Sequence, residues 1–379
     1  MEREGRLEVS LRPSSRNHAL PFELLGEIFS HISKDSLDLR FVIFVCRSWH
    51  NAVVHHANLW INITIGYIFV SRFLGARLHH GDAFVRLCLS RSAPYPLHLS
   101  VHHTTYDPPP DTDERFSLIK HILESNSGEP GDLFQRCRSL TWGFDYELSY
   151  VDFAARIFAS ASFPALKYLT ITKMFVPDGY PGIGSPRLPR LKEVTLINPS
   201  ETSTTSPFFH DDDFADVERL TFCITARWVD YDVNTIGRFR SIRILMLKNG
   251  GLRDEYKETL SDPSKPVELS LLEILTLSGK VQHQVLNLIR TPKLRKMEIK
   301  YYGSGHSLVA SMLVHLVRSL ECLSVSLIQS TPTTSWVKEL ERVIAEAPSL
   351  VSVCVSPWMA RCLIGKEWGT TKLHVADLE

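Results

Sequence analysis

Side chains able to do chemistry are present, but their spacing does not assemble a site. Ser-x-x-Lys occurs at Ser117/Lys120 and again at Ser335/Lys338. A serine nucleophile needs a base within hydrogen-bond reach, and two unrelated occurrences show how readily the pattern arises. Gly179, Gly182 and Gly184 lie in a proline-interrupted stretch without the Lys-Ser/Thr of a phosphate cradle, so they read as turn glycines. His55-His56, His79-His80 and His102-His103 are sequence neighbours, which point apart on a helix or a strand and make poor joint metal ligands. Asp211-Asp212-Asp213 reads as a solvated loop or a helix cap, with a cation site as the alternative. The seven cysteines, at 46, 88, 137, 223, 322, 354 and 362, form no C-x-x-C, and several lie in apolar runs as free buried thiols do. No catalytic residue, metal ligand or cofactor site is expected, and the chain is predicted not to be an enzyme.

Composition narrows the partners. Lys+Arg and Asp+Glu both number 42 in 379 residues, so the net charge is zero. That gives no support to nucleic acid, which demands a basic face. Residues 1–18 are charged and polar, without the apolar core of a signal peptide, and are expected to be a disordered lead-in. Ile61 to Val70, the most apolar run, is about half of a membrane span, so no membrane partner is expected. Unpaired cysteines point to a reducing compartment, cytoplasm and/or nucleus.

The elements that could position a binding surface begin at Leu20. From there to Trp60 the sequence predicts three short helices. Pro21 suits a helix start, and Leu24, Leu25, Ile28, Phe29 and Ile32 recur at helical spacing. Asp35 or Ser36 can cap a second helix with Leu37, Leu39, Val42 and Ile43. A third runs from about Val45 to His56, with Val45, Trp49, Ala52 and Val53 on one side. Some 40 residues struggle to bury enough surface alone, yet helix one spends apolar residues on more than one face. Another surface must complete it.

Leu20-Pro21-x-Glu23-Leu24-Leu25-x-x-Ile28-Phe29, then Val45-Cys46-Arg47-x-Trp49, then Leu59-Trp60 resembles an F-box. The resemblance implies a non-catalytic, substrate-recruiting subunit of a ubiquitin ligase. Such a chain docks a Skp-type adaptor and, through it, a cullin, and presents an unknown substrate protein with its remainder. Carried over by position, Leu20, Pro21, Leu24 and Ile28 would face the adaptor, with Trp49 in or near the contact. Two alternatives are a helical cap without a partner and a scaffold that docks without directing degradation. The later string Leu89-Ser90-Arg91-Ser92-Ala93-Pro94-Tyr95-Pro96-Leu97-His98-Leu99 resembles the junction after the box in F-box proteins of mushroom-forming fungi.

Residues 63–95 are predicted as a helical bridge, with helices at about Gly66 to His79 and Asp82 to Ser92. Beyond them an apolar-x-x-apolar-x-apolar pattern recurs. Its middle positions are 140, 169, 194, 220, 245, 275, 297, 323 and 353, with weaker copies at Leu99 and Leu373. These periods fall in or beside the leucine-rich-repeat range. Helical patterns lie between them at Val151 to Ser160, Gln284 to Arg290, Ser307 to Arg318 and Trp336 to Ala347. Proline-bearing turns such as Phe163-Pro164-Ala165-Leu166 lead into the strands. A strand-turn-helix unit this short cannot bury its apolar face alone, so neighbours must stack. The predicted fold class is α/β: an F-box over 19–62, then an irregular leucine-rich-repeat solenoid with a curved parallel sheet over 96–379, closed by a lid of Trp358, Trp368 and Leu373.

Along each strand the residue between the second and third apolar positions points away from the core. That column is mostly Thr and Ser, which suits either a solvated strand face or a shallow surface that a partner approaches closely. Beside it stand Tyr168, Glu193, Arg219 and Lys296, and across from these Lys248 and Lys300. Lys296, Glu298 and Lys300, followed by Tyr301 and Tyr302, form the candidate substrate-binding patch together with Tyr168 and Arg219. A solvated strand end is the alternative.

Overall fold

The computed structural model describes residues 20–32, 39–71, 75–78, 82–103, 112–125, 133–144, 153–154, 156–158, 161–172, 188–197, 214–224, 236–249, 266–279, 289–302, 319–328, 334–363 and 371–375. The expected lead-in, the Asp211 to Asp213 run, the helical pattern at 307–318 and Trp368 lie outside them.

Three helices open the chain: α1 (Phe22–Ile32), α2 (Leu39–Val42) and α3 (Arg47–His55), followed by a 3₁₀ turn at Ala57–Trp60. Pro21 precedes α1, and its carbonyl accepts the first helical bond from the Leu25 amide at 3.1 Å. Of the expected second helix, Leu39–Val42 is described as one turn, and Asp35, Ser36 and Leu37 lie outside the described residues. Val45 is not on the inner side of α3; it lies in the turn before the helix and is 58% exposed. Leu25, Phe29, Leu39, Ala52, Val53, Leu59 and Trp60 are buried. Trp49 meets Phe29 edge-on at 5.1 Å, and the Trp60 indole donates to the Val53 carbonyl at 2.8 Å, which satisfies its buried N–H. His56 stacks on Phe22 at 4.5 Å and its Nε2 hydrogen-bonds the Phe22 carbonyl oxygen, tying α3 back to α1.

On one side the bundle is completed by the same chain. Trp60 leans on Phe84 of α4 (Asp82–Arg91), and one continuous buried core runs from Leu25 to Leu363. The helix expected over Gly66 to His79 is absent. Asn62–Ser71 is strand β1, and Gly75–Leu78 is β2, paired antiparallel to it. Ile63 and Ile65 alternate with half-exposed Asn62 and Thr64, a strand period inside a run whose length suited either structure. The sheet therefore starts at Asn62, and the bridge contributes one helix, α4. Gly66 sits at φ 138°, against the carbonyl of its register partner His102.

Eleven further strands in the main sheet stack parallel on β1. They are β3 (Leu97–His103), β4 (Cys137–Phe144), β5 (Tyr168–Thr172), β6 (Glu193–Ile197), β7 (Arg219–Ile224) and β8 (Ile244–Asn249). A two-residue strand, β9 (Val267–Glu268), precedes β10 (Ile274–Ser278), and β11 (Ile289–Arg290) pairs with β9 in a small second sheet. Then come β12 (Lys296–Tyr302), β13 (Cys322–Ile328), β14 (Ser352–Val355) and β15 (Lys372–Val375). The main sheet has 13 strands, ordered by sequence apart from the β2 hairpin at its start. Leu99, Leu140, Leu169, Val194, Leu220, Leu245, Leu275, Met297, Leu323, Val353 and Leu373 are successive register partners. The chain is thus a helical N-terminal region followed by a parallel-sheet solenoid, a mixed α/β fold.

Among the described residues, α5 (Thr112–Ser125), α6 (Thr334–Glu346) and α7 (Pro357–Leu363) are complete helices, residues 153–154 and 156–158 of the 151–160 pattern are helical, and the 284–290 pattern ends in β11. Turns lead into the strands. Cys137, Leu166, Leu191, Val217, Ile242, Leu272, Leu294 and Leu350 each donate an amide bond to the carbonyl three residues earlier, on Phe134, Phe163, Leu188, Phe214, Phe239, Leu269, Thr291 and Ala347. Pro164, Pro189 and Pro348 fill the second turn position, where their fixed φ fits. Phe134, Phe163, Phe214 and Phe239 are buried beneath, with Phe214 and Phe239 stacked at 4.3 Å. Trp358 begins α7 and Leu373 lies in β15, but the side chains of the expected lid fall outside the described ones.

Candidate functional site

Two surfaces stand out, one at each stage of the chain. The first is the outer edge of α1. Leu25 and Phe29 turn inward, 3% and 1% exposed, while Leu24 and Ile28, one residue earlier in each case, are 51% and 39% exposed. Leu20 is 49% exposed and Pro21 is exposed beside it. Phe44 and Val45, in the turn that leads to α3, are open as well, and sequence reasoning missed both as surface residues. Trp49 is half-buried against Phe29, so it supports the bundle while presenting an edge to solvent. Water-facing leucine, isoleucine and phenylalanine clustered on a small bundle mark an interaction surface rather than a folding defect.

The second surface lies where the strands begin. Reading the residue directly after the first apolar position of each unit gives Arg138, Lys167, Lys192, Glu218, Arg243, Glu273, Arg295 and Glu321, and then the uncharged Val351 in the ninth. Register sets these side by side, and backbone bonds such as Glu218 N–H to Lys192 O (3.0 Å) and Glu273 N–H to Arg243 O (2.9 Å) fix the alignment. Ion pairs follow: Lys192–Glu218 at 2.9 Å, Arg243–Glu273 at 2.7 Å and Arg295–Glu321 at 3.7 Å. The hydrogen bond from Lys192 holds the Glu218 carboxyl below the usual carboxylate range, and the same contact raises Lys192. Glu273 raises Arg243 by its hydrogen bond, and Glu218 adds to it through space, so the pairs form a continuous ladder. Exposed pairs of this kind add little stability. Their effect is to pattern charge.

One column further along the strands, Glu193 pairs with Arg219 at 3.6 Å, and Ile244 and Ile274 follow in register. With Tyr168 these two columns line a groove of about 440 Å³. Tyr168 and Arg219, two of the candidate substrate-binding residues, belong to it. The others do not line it: Lys296 is the register partner of Ile274, just past the groove. Glu298 pairs with Lys300 at 3.2 Å and accepts from the Thr276 hydroxyl at 3.4 Å, which neutralises half of that patch internally. Tyr301 pairs with Leu327 in β12–β13, and its side chain lies outside the described ones. In the Thr/Ser column Thr221 and Thr276 are buried, 8% and 4% exposed, so the solvated-face reading fails at those two positions. The charged column becomes visible only when the units are laid in register, since its partners, such as Lys192 and Glu218, are 26 residues apart.

A polar clamp joins the two stages. Arg136 donates to the Leu89 carbonyl (3.0 Å), the Ser92 hydroxyl (2.8 Å) and the Tyr95 carbonyl (2.7 Å), pinning the turn between α4 and β3. Nucleophile chemistry gains nothing from the structure. The Cys137 thiol is pushed up to about 12 by burial, and Cys88 is fully buried. Among the described residues no group of three His, Cys, Asp or Glu could hold a metal, and no helix is long and apolar enough to cross a membrane.

The helical opening of the chain defines its class. Residues 18–66 match the F-box-like family, spanning α1 to α3, the 3₁₀ turn and the start of β1. The match ends before the 89–99 junction. No curated protein matches the chain. The chain therefore carries an F-box-like domain followed by a solenoid suited to binding, and F-box proteins are generally non-catalytic adaptors.

Proposed function

We propose that this chain is the substrate-recruiting, non-catalytic subunit of a Skp-cullin-F-box type ubiquitin ligase, working in the cytoplasm or nucleus. The F-box, taken as residues 19–62, docks a Skp-type adaptor and through it a cullin, and the repeats bind the target protein. The observation that carries this reading is the outward edge of α1: Leu20, Pro21, Leu24 and Ile28 are all exposed within a matched F-box-like segment. Removing such aliphatic surface from water favours docking by about 25 cal/mol per Å². Trp49 acts from behind, bracing α1 through Phe29. Tyr168, Arg219 and Lys296 with its neighbours Glu298, Lys300 and Tyr301 lie on the substrate side.

The test is reconstitution with a Skp-type adaptor and cullin. Leu20→Asp and Pro21→Glu each place a carboxylate at the exposed start of the edge and are expected to weaken adaptor binding at least tenfold. Unchanged binding by both variants overturns the docking assignment. Ubiquitin transfer to a bound protein in the assembled complex then separates a recruiting subunit from a scaffold.

A further inference from the structure

The groove is not uniform in charge along its length. In its middle every charge has a partner: Lys192 with Glu218, Glu193 with Arg219 and Arg243 with Glu273. Just past the Tyr168 end of its lining, at β4 and β5, this changes. Arg138 and Lys167 stand in the same column as Lys192, and neither pairs with a carboxylate among the described residues. The Arg138 guanidinium lies over the Tyr168 ring, 5.9 Å from its centre, and its buried Nε has no hydrogen-bond acceptor among the described residues. A buried donor left unused is costly until an acceptor reaches it. At the opposite end the chemistry reverses: half-buried Ile244 and Ile274 replace charged residues and offer an apolar landing.

Two groups of competing ligands fit poorly. A continuous polyanion such as nucleic acid would run over Glu193, Glu218 and Glu273. A small anion would leave the apolar end unused. From the midpoint of Arg138 and Lys167 to that of Ile244 and Ile274 is four strand spacings, about 19 Å at ~4.8 Å each, or about six residues of extended chain. Resting on the reading of the solenoid as the substrate-binding surface, we propose that the groove takes an extended peptide segment crossing the strands. An anionic side chain sits at Arg138 and Lys167, and an apolar side chain about six residues away sits against Ile244 and Ile274.

Selection of a random nonapeptide phage library on the full chain tests this. The expected result is enrichment of Asp or Glu with an apolar residue about five to seven positions away. Lys167→Glu, a surface change, should bind the selected peptides at least tenfold more weakly, and Arg138→Gln likewise, with melting temperatures unchanged. Replacing the acidic residue by phosphoserine distinguishes the natural anion: tighter binding assigns phosphate, weaker binding carboxylate. No enrichment, enrichment without an acidic residue, or equal binding by Lys167→Glu overturns the proposal. Adaptor binding measured on the same protein reads the other end of the chain, so its persistence when selection fails leaves the ligase reading standing.

Discussion

Leu24 and Leu25 are adjacent in α1 and should fail in opposite ways. Leu25 is 3% exposed, so Leu25→Ala empties core volume and should cost about 2–5 kcal/mol of stability. Leu24 is 51% exposed, Leu20 49% and Ile28 39%. With a fully buried side chain of this kind worth about 1.5–3 kcal/mol, covering what these three still expose is worth roughly 2–4 kcal/mol together. Leu24 supplies about a third of that, near 1 kcal/mol. An aspartate there also brings an unpaired carboxylate into an apolar contact, at a cost of about 2 kcal/mol more. Leu24→Asp should thus weaken adaptor binding about a hundredfold. Its effect on folding should stay within about 0.5 kcal/mol, because position 24 lies in the first turn, where a negative charge suits the helix dipole. Titration calorimetry against a Skp-type adaptor and urea unfolding of both variants read the two quantities. Binding by Leu24→Asp within threefold of the unmodified chain, or unfolding shifted as far as in Leu25→Ala, would refute the reasoning.

Three further outcomes are expected. Gly66→Ala would set a Cβ against the His102 carbonyl oxygen at a positive φ, with backbone that cannot move aside; unfolding should show a loss of about 3 kcal/mol or more. Arg136→Ala should lose about 1.5–3 kcal/mol, and Arg136→Lys should not restore it, since one ammonium cannot span the Leu89 and Tyr95 carbonyls that the fork bridges; denaturant melts of both decide. His98 has its pKa lowered by burial and then by Arg138, so the unfolded chain binds the proton more readily. Its contribution to stability is complete above the ordinary value of 6.5 and is lost as pH falls from there toward the lowered value. His98→Gln should flatten that part of the stability–pH curve relative to the unmodified chain, and identical slopes would count against it.

The repeats were readable because a shared core demands the same apolar spacing in each unit, and the strands align at the very residues that spacing names, from Leu99 to Leu373. On α1 the helical period groups Leu24, Leu25, Ile28 and Phe29 as one apolar stripe, and only the resemblance to an F-box assigns Leu20, Pro21, Leu24 and Ile28 to an adaptor-facing edge. Three things were not readable. Ile61 to Val70 is apolar enough for a helix or a buried strand, and pairing with β3 decides it as strand. The 284–290 pattern ends in strand β11, because Ile289 and Arg290 pair with Val267 and Glu268, partners about 20 residues away that a local period does not see. The charge ladder escaped because its meaning is relational: Lys192 and Glu218 are 26 residues apart and become partners only when two strands are laid in register.

The absence of any break between the F-box helices and the sheet has a geometric consequence. Trp60 is buried against Phe84, β1 is hydrogen-bonded to β3, and one core runs through both. Distance from the α1 edge is therefore counted in strands, as on a ruler with divisions of about 4.8 Å. The groove at β7 lies five divisions from β1, about 24 Å along the stack. Inserting one unit between β3 and β4 would slide the groove by a single division without changing its lining or Arg138. A unit removed between β6 and β10 would instead put like charges side by side. Reach and recognition are thus written into separate segments of the same sheet, and the first can be lengthened in whole steps while the second stays fixed.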